Sequence, residues 1–419
     1  MFSDILEGIY QSLLSVLGAT WWFLVPLVLF FILWDFWLSY IRLEHLKKIP
    51  WILLEIKVPR EILKTPKAME QVFAAVHATY SFGIRFWDKH WHGKIESWMS
   101  FEMVGVAGGV YFYIRTPAEY RNLVESAIYS QYPDAEIVER EDYTSLLPSV
   151  LPNNTYDLWG TNFILAREDA YPIQTYHYFE EMQEEKRLDP LSAITEVMSK
   201  LKEGEAIWLQ LLVRPTDDKW KKKAEELIGQ LIGKRKPTGE IGIIEWLGLF
   251  MRNFIIAFFE HPTWPFGAEA PKEGPANLLQ FLTPGEKDVV KAIEGKIARL
   301  GFESALRFIY IDKRDSFTRA NVSAVIGAFR QFNTQNLNAL RPADNITIAT
   351  QPFKSRKLYL KKRRIFDAYK YRAFPAKFSV LNIEELATLY HFPTMFTEAP
   401  MLRRIESKKG EPPANLPLE

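Results

Sequence analysis

Apolar and polar positions are distributed unevenly along this chain. Residues 8–34 carry no charge, whereas beyond residue 40 the apolar positions come in short periodic runs broken by charge. A helix needs roughly 20 mostly apolar residues to cross a hydrocarbon core. Residues 17–40 supply that length with Asp35 as the single charge, close to one end. Trp21 and Trp22 at one end and Trp34 and Trp37 at the other fit the interfacial belt, where an amphipathic ring is best placed. Pro26 bends such a helix without forbidding it. A secretory signal and a buried core helix are the alternatives. Against the first stand Asp4 and Glu7 ahead of the run and the lack of a clear small-residue cleavage site. Arg42, Lys47, Lys48 and Lys57 follow the span. The positive-inside rule therefore predicts a single pass through the inner (cytoplasmic) membrane, with the N-terminus outside and the bulk of the chain cytoplasmic. The lipid bilayer is the first expected partner.

Beyond the span, alternation together with β-branched or aromatic content predicts strands at 51–58, 95–104 and 110–115 and a short one near 135–139, with helices at 66–79 and 117–131. The order β-α-β-β-α-β is the split βαβ pattern of ferredoxin-like folds. A second block reads strand 162–166, helix 190–202, strand 206–214, helices 217–232 and 284–300, strand 304–312 and helix 316–332. The segments opening at Val110, Ile207 and Leu306 resemble one another; internal duplication explains them, and so does the chance recurrence of such segments in any α+β chain. The expected fold class is α+β, one N-terminal transmembrane helix followed by duplicated ferredoxin-like units. The expected divisions are 1–45 (tail and anchor), 46–150 (first unit), 151–350 (second unit, with an amphipathic insertion at 233–282) and 351–419.

Four helix starts carry the same punctuation: Thr65 and Pro66, Thr116 and Pro117, Asp189 and Pro190, Thr283 and Pro284. A Thr or Asp side chain can accept from first-turn N–H groups, and proline at the first helical position loses no hydrogen bond. Glu119 and Glu286 fall three residues after Thr116 and Thr283, which predicts capping boxes.

Composition narrows the chemistry. With 419 residues, 48% hydrophobic and 25% charged, the chain has enough material for several packed cores. It contains no cysteine, which removes disulfides, thiolate metal sites and cysteine nucleophiles. A net charge of +1 confines any polyanion-binding surface to a local patch. No phosphate-binding loop is present: the segment from Gly229 to Lys234 and Arg235 has the wrong spacing and lacks the hydroxyl that would hold a magnesium ion. His90 and His92 flank Trp91 without a third ligand at a diagnostic offset. The acidic runs around Glu139 to Asp142 and Glu180 to Glu185 read as solvated faces. No catalytic residue, cofactor or metal is expected, and the chain is read as non-enzymatic.

Two segments stand out. Residues 353–378 hold ten basic residues against the single acid Asp367, with Tyr359, Phe366, Tyr369 and Tyr371 interleaved. Lys354, Arg356, Lys357, Lys361, Lys362, Arg363, Arg364, Lys370 and Arg372 are the candidate nucleic-acid or partner-binding residues, neutralising phosphates while the aromatic rings offer stacking faces. The alternative is an amphipathic helix with Leu358, Leu360 and Ile365 packed inward and its lysines facing solvent, anionic lipid or an acidic protein surface. The second segment, 241–259, places Trp246, Phe250 and Phe254 on a wide apolar arc opposite Glu245 and Arg252. It reads as an in-plane helix on the inner leaflet, or as a buried or oligomer-forming helix.

Near the C-terminus, Asn382 reads as a helix cap, Glu384 and Glu385 as first-turn acids and Pro393 as the stop. Asn382, Glu384, Glu385, His391, Phe392 and Pro393, with the Pro- and Lys-rich stretch from Pro400 to Pro417, resemble the region just ahead of the motor in HerA-like, conjugation-type DNA-translocating ATPases. Residues 110–136, including Tyr113, Arg115, Tyr120, Glu125, Tyr132 and Glu136, resemble the N-terminal region of membrane-anchored bacterial forms. The chain stops where that family's phosphate-binding loop begins, so no catalytic residue carries over and the motor is expected to be a separate polypeptide. The resemblance implies a non-enzymatic, membrane-anchored adaptor of a type IV secretion or conjugation-like machine. Its expected partners are a HerA-like ATPase in trans, DNA and further copies of the chain. The alternative is a membrane-tethered nucleic-acid-binding module acting without a motor.

Overall fold

The computed structural model of the chain describes residues 2–59, 64–81, 83–107, 109–179, 189–232, 282–343 and 354–393. The amphipathic segment with Trp246, Phe250 and Phe254 lies outside the described residues, as does the stretch from Pro400 to Pro417.

The first element, α1 (Phe2–Lys48), is a helix of 47 residues. Its part from Thr20 to Lys48 has a mean hydropathy of 2.0 in its most apolar window, with 6% of that window buried. It is long and apolar enough to cross a membrane. Trp21 (61% exposed), Trp22 (65%) and Trp37 (42%) lie on its open surface, while Trp34 is half-buried.

Two residues after α1 the chain enters a sheet that, among the described residues, has nine strands and is antiparallel at every pairing. The strands are β1 (Trp51–Lys57), β2 (Met99–Val106), β3 (Gly109–Pro117), β4 (Glu136–Arg140), β5 (Tyr156–Leu165), β6 (Ala206–Pro215), β7 (Gly301–Lys313), β8 (Leu340–Pro342) and β9 (Ser379–Asn382). Their order is β4-β1-β3-β2-β6-β7-β5-β8, with β9 added on β7. The helices are α2 (Lys67–Val76), α3 (Phe86–His90), α4 (Arg121–Gln131), α5 (Ser192–Ser199), α6 (Lys219–Leu231), α7 (Pro284–Ile297), α8 (Arg319–Phe329), α9 (Lys354–Lys370) and α10 (Ile383–Leu389). In α2, Met69, Val72, Phe73 and Val76 are buried. Their i, i+3, i+4, i+7 spacing makes one apolar stripe.

That stripe belongs to the main core, where α2, α4, α5, α8 and α10 cover one sheet face through residues such as Ile56, Phe101, Ile114, Leu209 and Phe308. Successive strand residues point to opposite faces, so Leu53, Val104, Trp208 and Ile309 enter a second cluster on the other side, under α9. The sheet is continuous across residues 150 and 151, and residues 354–393 are built into it. β9 pairs with β7, α9 packs on β5, and α10 packs on α2.

Several local expectations shift. Thr283 forms the expected capping box with Glu286. Thr116 does not, because β3 keeps pairing through Thr116 and Pro117 with β1, and the buried Thr116 hydroxyl donates to Pro117 O (3.3 Å). The N-cap of α2 is Pro66 and not Thr65. Asp189 accepts from Leu191 N (2.8 Å) ahead of α5 but also holds His391. β5 begins at Tyr156 and not at residue 162, since Asp157, Gly160 and Asn162 interrupt its apolar pattern while its ladder to β7 continues.

Candidate functional site

The face carrying α9 is crossed by a row of polar residues fixed by strand register. Glu55 lies opposite Tyr113, Tyr113 opposite Glu102, Glu102 opposite Gln210, Gln210 opposite Arg307 and Arg307 opposite Asn162. Six strands thus contribute one residue each to a line perpendicular to their axes. Gln210 Nε2 donates to Glu102 Oε1 (2.9 Å), Arg307 Nη1 to Gln210 Oε1 (2.5 Å) and Arg307 Nε to Asn162 Oδ1 (3.0 Å).

This row holds the end of α9. Arg307 donates to Ala368 O (2.7 Å) and Ala373 O (3.0 Å), and Gln210 Nε2 to Tyr369 O (3.2 Å). Ala368 and Tyr369 lie in the last turn of α9, where carbonyls lose their intrahelical partners, and each also accepts a backbone N–H, from Ala373 and Arg372 respectively. Ile365, Phe366 and Tyr369 are buried against Trp208, Leu158 and Ile309. Gly160 lets the helix come close, because a Cβ there would stand 3.1 Å from Phe308 O and 3.2 Å from Ile365 Cδ1.

After the helix, Arg372 takes a left-handed conformation (φ 49°) and turns its guanidinium inward. It donates to Glu102 Oε1 (2.9 Å) and Oε2 (3.1 Å), to Asp142 Oδ1 (3.0 Å) and, closer still, to Asp142 Oδ2. Ser100 Oγ and Tyr143 OH donate to the same Glu102 carboxylate at 2.6 and 2.7 Å, and Tyr143 OH meets Tyr369 OH at 2.7 Å. Burial works against ionised Glu102, yet Arg372 and the hydrogen bonds outweigh it and lower its pKa. Asp142 is lowered on the same balance, and Glu102 in turn raises Arg372 against its own burial. Burial brings Arg307 down to about 10.

The basic residues therefore divide. Arg356, Lys357, Arg363 and Arg364 are exposed, and Lys361, Lys362 and Lys370 are half-buried. Lys362 Nζ pairs with Asp157 Oδ1 (2.5 Å) and lies over the Phe317 ring. Arg372, expected on the binding surface, is 1% exposed, with its guanidinium paired to Glu102 and Asp142. Of the apolar residues expected to pack inward, Ile365 does, whereas Leu360 is 51% exposed. Lys354 is the first residue of α9.

The residues of the expected motor-proximal motif are packed into the framework. Asn382 and Glu385 form a capping box for α10. Glu385 is fully buried with Lys296 Nζ at 3.0 Å and accepts from Ile173 N (2.9 Å). Burial raises its pKa while Lys296 opposes the shift. Glu384 pairs with Arg299 (2.6 Å) and accepts from Thr175 Oγ1 (2.5 Å). His391 bridges Ala387 O (2.8 Å) and Asp189 Oδ1 (3.0 Å). Phe392 and Pro393 are buried, with Phe392 against Phe112 and Tyr132.

Glu70, His177 and Glu384 bring ligand atoms within 4.8 Å of one another. Protein groups already occupy the two carboxylates: Tyr176 OH donates to Glu70 (2.8 Å), and Arg299 and Thr175 hold Glu384. Beside the polar row, Tyr111, Tyr113, Tyr143, Trp208, Glu55 and Arg140 line an open cleft of about 480 Å³, spanned by a pair between Arg140 Nε and Glu55 Oε2 (2.8 Å).

Sequence reasoning passed over Glu102, Gln210 and Arg307. Their signal is a lone polar residue in the middle of an otherwise apolar strand, a position that stays polar only when something satisfies it.

Fold and site define an α+β protein with an antiparallel sheet, helices on one face, a basic helix strapped to the other and an N-terminal helix apolar enough for a membrane. The chain belongs to the family described as domain of unknown function (DUF8128), whose model matches residues 41–403. Comparison with curated proteins gives no match.

Proposed function

We propose that this chain is a non-enzymatic, membrane-anchored adaptor of a type IV secretion or conjugation-like DNA-translocation machine, presenting a basic surface to a HerA-like ATPase. α1 crosses the inner membrane once with its N-terminus outside, as the basic residues Arg42, Lys47, Lys48 and Lys57 after the apolar run favour. The body behind it is a tandem of two ferredoxin-like units. In its support, β1 to β4 take the order 4-1-3-2, and β5 to β8 take the same order when read from the opposite edge, the two sets meeting at β2 and β6.

The observation that carries the reading is the division of α9. One side is locked to the sheet by Ile365, Phe366 and Tyr369, while Arg356, Lys357, Arg363 and Arg364 stay exposed. A cation row on a fixed helix is a preorganised contact surface, because few side chains must be ordered when a partner arrives. The motor itself is suggested by the resemblance of residues 110–136 and 382–417 to the regions that precede HerA-like motors. With most of residues 382–393 buried, the contact passes to the outer face of α9.

Affinity purification of the full chain from detergent-solubilised membranes tests this. Wild type should retain a HerA-like ATPase, and Arg356→Glu, Lys357→Glu, Arg363→Glu and Arg364→Glu combined should lose it while remaining folded. A second reading, direct DNA contact, is favoured by Tyr359 (39% exposed) and Tyr371 (69% exposed) beside the same cations. Recovery of no ATPase, with strongly salt-dependent DNA binding lost in the same variant, would replace the first reading by the second.

A further inference from the structure

The segment between α2 and β2 carries α3 and its flanks and projects beside α1. Phe86 (63% exposed), Trp87 (65%) and Trp91 (53%) form an open aromatic cluster, with Arg85, Lys89 and Lys94 exposed around it. In a soluble protein such a surface would be a liability; beside a membrane helix it has a natural occupant.

The cluster is attached to one level of α1. Trp37 Nε1 donates to His90 O (3.3 Å), Trp34 stacks on His90 with ring centroids 6.0 Å apart, and Trp34 meets Trp91 edge-on at 6.4 Å. Within the segment, Phe86 stacks on His90 at 4.1 Å and Trp87 meets Trp91 at 5.3 Å. Gly93 closes the attachment. Its φ of +63° is one that L side chains rarely adopt, and a Cβ there would lie 2.4 Å from Ile41 O. The backbone of the segment is therefore pressed directly against the backbone of α1.

Trp34 and Trp37 stand at the end of the apolar run nearest the body, where the sequence places the membrane–water interface. Helix rise is about 1.5 Å per residue, so a hydrocarbon core roughly 30 Å thick reaches from this level back to the start of the run. We infer that residues 85–94 are a second membrane-binding element, with Phe86, Trp87 and Trp91 inserted among the phospholipid headgroups and Arg85, Lys89 and Lys94 meeting lipid phosphates. The inference rests on α1 spanning the bilayer and adds a second point of contact. Aromatic rings with a polar edge favour this depth, and basic neighbours favour an anionic leaflet. One helix alone leaves the body free to swing, whereas a second contact beside it fixes the face that the body turns toward the membrane.

The chain has no cysteine, so single-cysteine variants of the full protein can carry an environment-sensitive fluorophore cleanly. Trp87→Cys is the test position, with Lys89→Cys as a milder second site, Val28→Cys as the reference inside α1, and Leu146→Cys, 84% exposed, as the reference on the body. The labelled proteins are placed in vesicles of phosphatidylethanolamine and phosphatidylglycerol that carry a quencher either at the headgroup or deep in the acyl chain. The expected result is a blue shift at position 87 or 89 with quenching mainly by the headgroup probe, deep quenching at position 28 and none at 146. Deep quenching at 28 with none at 87 and 89 overturns the second contact and leaves the span in place, including where a protein partner covers the cluster. No quenching at 28, 87 or 89 overturns both.

Discussion

Arg372 shows most clearly how a single residue can change role between sequence and structure. In the sequence it is one of ten basic residues in a run and reads as surface. In the fold it neutralises Glu102 and Asp142 beneath the end of α9. Removing one partner of a buried pair leaves the other charged and desolvated, so Arg372→Ala should cost about 3–5 kcal/mol, measured by denaturant unfolding of the detergent-solubilised protein. The pH dependence follows from the lowered pKa of Glu102. A carboxylate held below its ordinary value contributes stability that is present above that value and lost as pH falls through the folded one. The penalty of the substitution should therefore be largest near neutral pH and shrink as the medium is acidified below 4.5, the ordinary value for this group. An equal penalty at both ends would mean that the pairing is not what Arg372 supplies. The sequence displayed these residues without their partners, since Glu102 and Arg372 lie 270 positions apart and no local pattern connects them.

Elements were more legible than residues. The strands carrying alternation and the helix starts at Lys67 and Pro284 fell near their expected places, because local sterics and apolar period decide them. What could not be read was where an element stops when tertiary pairing overrides its own signal. Thr116 looks like a cap and is the last part of a strand, because β1 holds it. Asn382, by contrast, is legible both ways: its side chain accepts from Glu385 N at 2.8 Å, as the cap pattern predicts. Asn382→Ala should destabilise the protein by about 1–2 kcal/mol. Thermal unfolding checks it, and a change of a few tenths would show that the buried Glu385 and Lys296 pair orders α10 without the cap. α9 carries the same lesson on a larger scale. Its basic character was plain in the sequence, but which cations remain outward depended on Trp208, Gln210 and Arg307, contributed by two strands far away in the chain.

At the scale of the whole molecule, the apolar run and the α+β class were evident from pattern alone. The joining of the strands into one nine-stranded sheet was not, because strand adjacency between β2 and β6 leaves no trace in either strand's own sequence. The sheet nevertheless holds the end of the N-terminal helix directly. α1 passes into β1 through Ile49 and Pro50, and Leu46 packs with Trp51 and Trp98, so the helix is continuous with the body and not hung from a slack linker. In the adaptor reading this rigidity lets a membrane position dictate where Arg356, Lys357, Arg363 and Arg364 are displayed. The account therefore stands on the basic face of α9 lying on the cytoplasmic side. Single-cysteine labelling of Arg364→Cys with a membrane-impermeant maleimide measures this directly, in right-side-out spheroplasts and in inverted inner-membrane vesicles. The account predicts labelling in the inverted vesicles and protection in the spheroplasts; labelling in intact spheroplasts would put the basic face on the wrong side of the membrane and contradict it.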